Sequence, residues 1–440
     1  MFKGLKVVIT AVAALGMSAS LAFAASAAEG LSTAPAAPAP ATDASALDGE
    51  LKAVFGDLKA GRYLAAVDRA EMDAHDARLG TGDANPFGQL SQQISPFLEE
   101  RVDPSSLTQK PGQPDPKDVA AFQGAEPHDA IDEIVSRARN TSIVILNEAH
   151  HSPRDRAFAL QVAKALRPLG YSVLALEALE TKDGQAQVAR DGYARMSSGL
   201  YTMDPAFADF LRQSLAMGYR PVSYEADDTV GANLSGMASV AAREQAECDN
   251  LMNRIFKKQP AAKVLIYVGY EHATEVPMKT KSGPMPWMAA RLKAATGVDP
   301  LTIDQTTVSE LSNDSSARQL YELIAARVGN KPVVFMHDGQ PVKVGHLGQG
   351  TDLQVVHPRL RYVDGRPTWL LTMGRHPVKV PRNLLPSHGR RLVQAFIAGE
   401  PADAVPVDQV VVEAGKPAPV LMLPSKRIRF AVQDDDSNRR

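Results

Sequence analysis

The chain has 440 residues and a formal net charge of −2, enough length for two or three domains but no bulk electrostatic case for nucleic acid or an anionic membrane. Hydrophobic residues make up 44% and charged residues 22%, an ordinary globular balance rather than a disordered one. The single cysteine, Cys248, excludes an internal disulfide and any multi-cysteine zinc or iron–sulfur site.

The first 27 residues read as a cleavable export signal. Lys3 and Lys6 precede an apolar stretch from Val7 to Leu21, and Ala22-Phe23-Ala24 and Ala25-Ser26-Ala27 both fit a small-residue cleavage site. The expected location is periplasmic or secreted. No later run of 18 apolar residues occurs, so no stable membrane span is expected once the signal is removed. Residues 28–48 are rich in Ala, Pro, Ser and Thr and read as a disordered linker. Residues 49–128 read as a helical and irregular region. Leu51, Phe55 and Leu58 fall at helical spacing, whereas Asn85 to Pro116 carries many Pro, Ser and Gln residues and reads as irregular surface packing.

Residues 129–338 carry the pattern of an α/β domain, a mostly parallel sheet flanked by helices. Six short apolar runs alternate with helical segments. Ser142–Leu146 leads into Asn147-Glu148-Ala149-His150-His151, Ser172–Leu176 into Glu177, and Pro221–Tyr224 into Glu225. Lys263–Val268 leads into Gly269-Tyr270-Glu271-His272, Leu301–Ile303 into Asp304, and Pro332–Met336 into His337-Asp338. Between the first two runs, Ser152-Pro153 opens a helix, Phe158, Val162 and Leu166 give it one buried stripe, and Gly170 closes it. Residues 339–440 change texture. Val355–Tyr362 and Thr368–Thr372 flank Asp364-Gly365, a hairpin signal, and Val410–Glu413 and Pro419–Val432 add strand-like runs. This tail reads as a small β-rich region.

Every one of the six runs ends on an acid or a histidine. Ligands of open parallel sheets bind outside the carboxyl ends of the strands, so these side chains should converge. Imidazole and carboxylate together bind Zn²⁺, Mn²⁺, Fe²⁺ or Co²⁺ without thiolates, and such an ion makes a nucleophile of its bound water. Glu148 and His150, two residues apart at a strand end, should point to one side and are able to share a ligand. A remaining glutamate is then a general base. Singly, each residue has a bland alternative. Glu148 could be a helix-start acid, Glu177 an ion-pair partner, and His150 and His272 hydrogen-bonded core residues. The coincidence of six strand ends favours a site.

Asn147-Glu148-Ala149-His150, followed by a helix and by Leu174-Ala175-Leu176-Glu177, resembles the superfamily that joins erythromycin esterases, ChaN-type haem-uptake proteins and Tiki proteases. Its first signature is Gly-Glu-x-His after a strand; Asn147 stands here where glycine is expected. Its second, Gly-x-x-His, is matched by Gly269-Tyr270-Glu271-His272, and an acidic strand end such as Glu225 and a helix opening with Arg-Glu, such as Arg243-Glu244, lie between. The resemblance covers residues 130 to 340 and implies a site at the strand ends. It leaves function open among its members. The leading expectation is an exported hydrolase, metal-assisted through Zn, Mn or Co, that cleaves an ester or amide in a small-molecule or peptide substrate. Glu148, His150, Glu177, Glu225 and His272 would be catalytic, with Glu148, His150 and His272 as metal ligands. The runner-up is a haem-binding protein with Tyr224, Tyr267 or Tyr270 and a histidine near the iron. A non-catalytic envelope module is the third reading.

Overall fold

A computed structural model describes residues 44–79, 85–99, 112–179, 182–227, 229–280 and 283–435. The expected export signal and most of the expected linker lie outside the described residues, but Ala44 to Asp48 already belong to a helix, α1 (Ala44–Lys59).

A nine-stranded sheet organises the chain. Its members are β1 (Glu126–Asp129), β2 (Ile143–Glu148), β3 (Val173–Leu176), β4 (Arg220–Ser223) and β5 (Val264–Gly269). A separate hairpin, β6 (Met278–Thr280) and β7 (Gly283–Met285), follows. The sheet then takes β8 (Leu301–Asp304), β9 (Val333–His337), β10 (Gln340–Pro341) and β11 (Leu353–Val356). The order is β1-β9-β11-β8-β2-β5-β3-β4, and every neighbouring pair from β11 to β4 is parallel. In the register, Glu148 stands opposite Gly269 and Leu176 opposite Tyr267.

The strands are apolar on both sides because both faces are covered. On β2, Val144 and Leu146 join the core that contains α1, α2 (Tyr63–Asp73), α3 (Pro86–Ile94), α4 (Ala130–Ala138), α5 (Pro153–Leu166), α6 (Lys182–Asp191) and α7 (Pro205–Ala216). Ile143 and Ile145 face the other way, against Cys248 and Leu251 of α8 (Met237–Leu251) and Met288 and Leu292 of α9 (Met288–Thr296). The helix α10 (Ser315–Ile324) packs under β9 through Leu320, Tyr321 and Ile324. From β2 the chain crosses to β3 and β4 on one side, returns to β5, and then crosses to β8 on the other. The carboxyl ends of β2 and β5 therefore flank a topological switch point, where open sheets of this kind bind ligands.

The fold departs from the sequence reading in three places. The Asn85–Pro116 stretch contains α3, whose Phe87, Leu90 and Ile94 are fully buried. Its apparent loop residues start the helix, since Asn85 accepts a hydrogen bond from Phe87 N and Pro86 takes the first turn. Residues 100–111 lie outside the described residues. Second, β9 runs antiparallel to β11, so His337 ends at the opposite edge from the other strand termini, exposed to solvent. The Asp338-Gly339 turn, with φ of 49° and 73°, sends the chain straight back into β10. Third, the sheet continues past residue 338 because Leu353–Val356 pairs in parallel with β8.

The C-terminal part is built of antiparallel strands. Asp364-Gly365, with φ of 50° and 77°, turns β12 (Tyr362–Val363) into β13 (Arg366–Pro367). The strand β14 (His376–Val378) pairs with β17 (Leu421–Leu423), and β15 (Arg390–Ile397) lies between β16 (Asp408–Glu413) and β18 (Ile428–Asp434). Polar anchors fasten this part to the core: Arg375 Nε donates to Asp209 Oδ2 at 3.2 Å and Gln409 Nε2 to Phe97 O at 2.7 Å. Among the described residues no helix is long and apolar enough to cross a membrane.

Candidate active site

The last residue of β2, Glu148, and the first turn beyond it form the centre of the site. Glu148 Oε1 lies 3.1 Å from His150 Nδ1. Arg156, on the first turns of α5, donates from Nε to Glu148 Oε2 at 2.9 Å and from Nη2 to Oε1 at 3.1 Å. The same guanidinium donates to His150 O at 2.8 Å and to Asp204 Oδ2 at 2.5 Å. Burial pushes the Glu148 carboxyl up, but Arg156 and the His150 ring outweigh it and hold the group down at about 2. Glu148 is thus an ionised carboxylate clamped by a fixed cation. In the tautomer that donates Nδ1–H to it, the His150 Nε2 lone pair is free. That atom is buried and has no hydrogen-bond partner.

Aromatic rings fix the imidazole on two sides. Tyr201 stacks on it with centroids 4.1 Å apart and planes 14° apart, and Tyr270 meets its edge at 5.0 Å. Tyr270 has a φ of 36°, a left-handed conformation that costs a non-glycine residue energy. Asn147 Nδ2 holds that turn by donating to Tyr270 O at 3.0 Å. The Tyr270 hydroxyl accepts from His150 N and faces His151 Nδ1, both at 3.2 Å, while His151 Nε2 contacts Leu311 O at 2.8 Å. Burial lowers His151 to about 4, so it is a neutral buttress beneath the loop.

The second strand end approaches His150 across Gly269. A Cβ placed on Gly269 would stand 2.5 Å from His150 Cε1, 2.7 Å from Nε2 and 3.4 Å from Glu177 Oε2. The glycine φ of −79° is ordinary, so it is the imidazole, not the dihedral, that demands the missing side chain. Glu177, just beyond β3, accepts from Gly269 N at 2.7 Å and from Arg243 Nη2 at 2.6 Å. Burial raises its carboxyl, but His272 and Arg243 outweigh that and hold it below the usual range. Arg243 also donates to both oxygens of Glu225, at 3.0 and 2.7 Å. It lies in the middle of α8 rather than at its start, so a helix face, not a helix end, presents it.

His272, on the short turn after β5, closes the ring of groups. Its Nε2 lies 3.4 Å from Arg243 Nη1 and 3.8 Å from Glu177 Oε1. Its Nδ1 stands 2.7 Å from Glu244 Oε1 and 3.7 Å from Glu247 Oε2, but without hydrogen-bond geometry. Burial lowers the ring's affinity for a proton, yet the carboxylates of Glu244, Glu177 and Glu247 raise it to about 10. Burial beside Glu244 and Glu225 pushes Glu247 upward despite Arg243.

Two sets of described residues bring their ligand atoms within 4.8 Å of one another, as a metal site requires: Glu244, Glu247 and His272, and Glu177, Glu225 and Glu247. Arg243 already bridges the second set. The first set fits a cation better, because Arg243 ion-pairs with only Glu247 of its members but with all three of the second, and because the 2.7 Å approach of Glu244 Oε1 to His272 Nδ1 lacks hydrogen-bond geometry. Of the three residues expected to ligate a metal together, only His272 belongs to such a set. Glu148 is saturated by Arg156, and His150 faces Gly269 instead.

The five expected catalytic residues are linked through this chain of contacts, in which Glu177 is also the ion-pair partner that its bland alternative foresaw. Tyr224 is not among them. Its ring is fully buried in the core on the α8 side, and its hydroxyl donates to Tyr267 O at 3.1 Å. Tyr270 borders His150, and Tyr267 Oη is buried without a hydrogen-bond partner. Asp304 anchors its neighbours, accepting from Asn147 Nδ2 at 3.0 Å and from Gln354 Nε2 at 3.0 Å. Arg156, Tyr201, Arg243 and Glu247 were not assigned roles from the sequence. The Arg-Glu pair did mark Arg243, and a basic residue in the first turns of a helix facing an acidic strand end was a signal for Arg156. Grooves of about 530 Å³, lined by Arg212, Tyr219 and Glu400, and about 470 Å³, lined by Asp118, Thr307 and Asp314, lie away from these residues.

No family model and no curated protein matches the chain. Among solved structures, it is similar to RRSP, a MARTX toxin effector domain from Vibrio vulnificus, at 15% identity over 55% of this chain and 54% of that one, with a TM-score of 0.32. A structure described as bacterial protein toxins matches at 16% identity over 55% of each chain, with a TM-score of 0.32. The C-terminal region of Pasteurella multocida toxin, described as having a thiol-protease-like catalytic triad, matches at 11% identity over 82% of this chain and 58% of that one, with a TM-score of 0.31. The chain thus spans just over half the length of these structures.

Proposed function

We propose that the chain is an exported hydrolase of the superfamily that includes erythromycin esterases and Tiki proteases, and that His150 activates its water. One observation carries this reading. The His150 ring is fixed through Nδ1 by an ionised, Arg156-clamped Glu148, while Nε2 is unpartnered and faces Gly269.

In this mechanism His150 Nε2 takes a proton from water as the water oxygen bonds to an ester or amide carbonyl carbon. Glu148 stabilises the imidazolium that results. The carbonyl electrons move to oxygen, and the cations Arg243 and His272 stabilise that oxyanion. Collapse expels the leaving group, which takes the proton back from His150. Glu177 and Glu225 hold Arg243 in place, and Glu177 also fixes Gly269 N. A divalent ion, where bound, would be held by Glu244, Glu247 and His272 and would supply Lewis-acid polarisation.

The test is turnover of a panel of esters, lactones and peptides by wild type and His150→Ala, each with and without EDTA, beside an absorption spectrum. Turnover lost in the variant supports the reading. Equal turnover in both removes His150 from the mechanism. No turnover, together with a Soret band from stoichiometric haem, replaces hydrolysis with haem binding.

A further inference from the structure

The geometry points to Tyr201 as a positioning residue that both orients the His150 imidazole and closes it off, with the N-terminal helices setting its position. The inference rests on His150 as the reactive group, but its consequences for access do not require hydrolysis.

Tyr201 stacks on one face of the imidazole with centroids 4.1 Å apart, and its ring centroid is 5.9 Å from Arg156 Cζ. It therefore lies over both the base and the cation that clamps Glu148. His150 is 2% exposed whereas Tyr201, stacked on it, is only partly buried. A base whose Nε2 is buried must be uncovered before a substrate carbonyl can reach it. Uncovering this face breaks the aromatic stack, the ring's contact with Arg156, its packing on the core and one neutral hydrogen bond, each individually modest.

That hydrogen bond crosses to another part of the chain. Tyr201 Oη contacts Gln93 Oε1 of α3 at 3.2 Å. Nearby, Tyr63 Oη of α2 donates to Met203 O at 2.8 Å and touches Met196 Sδ at 3.3 Å. The C-terminal part holds the same segment, with Met196 N donating to Asp403 O at 2.9 Å and Val405 N to Ala194 O at 3.2 Å. Gly192 and Gly199, with φ of 81° and 147°, give the backbone flanking Ala194 and Met196 conformations that side-chain-bearing residues rarely adopt. The N-terminal helices and the C-terminal strands, which contribute none of the ionisable groups of the site, thus meet on the one segment that caps its base.

Carbethoxylation by diethyl pyrocarbonate reads imidazole access directly, with peptide mass mapping to separate His150 from His151. The exposed His376 and His388 serve as internal references. In wild type, His150 should react at least about tenfold more slowly than the references, because only the small uncovered population is open. Tyr201→Ala should raise the His150 rate about tenfold or more, while Tyr201→Phe and Gln93→Ala, which keep the stack and lose only the latch, should raise it about threefold. The reference histidines should not change, which separates uncovering from general unfolding. Should Tyr201→Ala fail to fold, the Tyr201→Phe and Gln93→Ala rates decide. A wild-type His150 as reactive as the references, or folded variants with unchanged rates, would overturn the inference. Absence of hydrolytic activity would not alter these rates, so failure of the enzyme assignment is distinguishable from failure of the cover.

Discussion

Glu148 and His150 stand two residues apart at the end of β2 and meet directly, Oε1 to Nδ1 at 3.1 Å. Glu148 ends the strand and His150 lies in the turn beyond it, so the turn, not the strand period, brings them together, and the result is an oriented imidazole rather than a shared ligand. Glutamine in place of Glu148 could present its amide N–H to Nδ1 and favour the wrong tautomer. Glu148→Gln should therefore lower kcat by roughly 10³-fold with little change in KM, and His150→Ala should remove turnover to background. Steady-state kinetics on whichever ester, lactone or peptide is cleaved checks this. A variant with an unchanged kcat would show that the carboxylate does not orient the base.

Gly269→Ala isolates the packing of that ring. The backbone there tolerates alanine, but its methyl would meet His150 Cε1 at 2.5 Å. Either the imidazole or β5 has to move. The expected loss is about 1–3 kcal/mol of stability and roughly 10²-fold in rate, the cost of about 1 Å of displacement at a reacting group. Urea denaturation and kinetics measure the two. Wild-type values of both would mean that His150 does not sit against Gly269.

The sequence made the convergence legible because strand ends carry their own marker. An apolar run stops where an ionisable residue appears, and parallel pairing puts those stops on one edge. It failed where pairing direction mattered. His337 satisfied the same local pattern as Glu177; Asp338-Gly339 is a local turn signal like Asp364-Gly365, but it fixes only the return into β10, and the antiparallel pairing of β9 with β11 is long-range and has no local mark. Tyr224 is a similar case, a polar aromatic at a strand end that faces α8 and spends its hydroxyl on Tyr267 O. Long-range partners were equally hidden. Arg156 and Glu148 are near in sequence, but the contact of Tyr201 with Gln93 spans 108 residues and has no periodicity to announce it.

Acid should weaken the fold partly through Glu148. Its folded value is lowered to about 2 from an ordinary 4.5. A depressed acid contributes stability that is fully present above the unfolded value and is lost as pH falls through the folded one. The window is therefore between about pH 5 and 2, and the contribution is on the order of 3 kcal/mol, since each unit corresponds to about 1.4 kcal/mol. Glu148→Gln should be less stable at neutral pH because Arg156 loses a buried partner, and it should show a shallower acid slope. Glu177 is lowered as well and leaves a residual slope. Urea midpoints from pH 2 to 7 test it, and parallel profiles for wild type and variant would count against an ionised, clamped Glu148.

Metal binding should follow the set of Glu244, Glu247 and His272 rather than the first motif. Equilibrium dialysis against Zn²⁺, Mn²⁺ and Co²⁺ should show one stoichiometric site in wild type, lost in Glu247→Gln and His272→Ala and kept in Glu148→Gln. Binding should strengthen as pH rises, because the ion must displace the proton that Glu244, Glu177 and Glu247 hold on His272. Metal lost on His272→Ala with turnover retained would assign the ion a structural part. Metal retained in His272→Ala and lost in Glu148→Gln would return the site to the first motif.

Asn147 departs from the resembled signature, and its side chain explains why. Glycine at this position would offer conformational freedom, but Asn147 lies in extended β2, and the unusual φ belongs to Tyr270 instead. The amide joins three strand ends. Its Nδ2 donates to Tyr270 O after β5 and to Asp304 Oδ1 of β8, both at 3.0 Å, and its Oδ1 accepts from Gln305 N at 2.9 Å. Asn147→Gly should cost about 2–4 kcal/mol, since it strands buried polar groups that water does not reach and adds backbone entropy. Asn147→Asp should cost more at neutral pH. It replaces a donor by a carboxylate oxygen that faces Tyr270 O and the Asp304 carboxyl, and it should recover as pH falls and the new acid takes a proton. Urea denaturation of both variants at pH 5 and pH 7 gives the sign. A stable Asn147→Gly, or an Asn147→Asp with no pH dependence, would show that the three strand ends hold together without this amide.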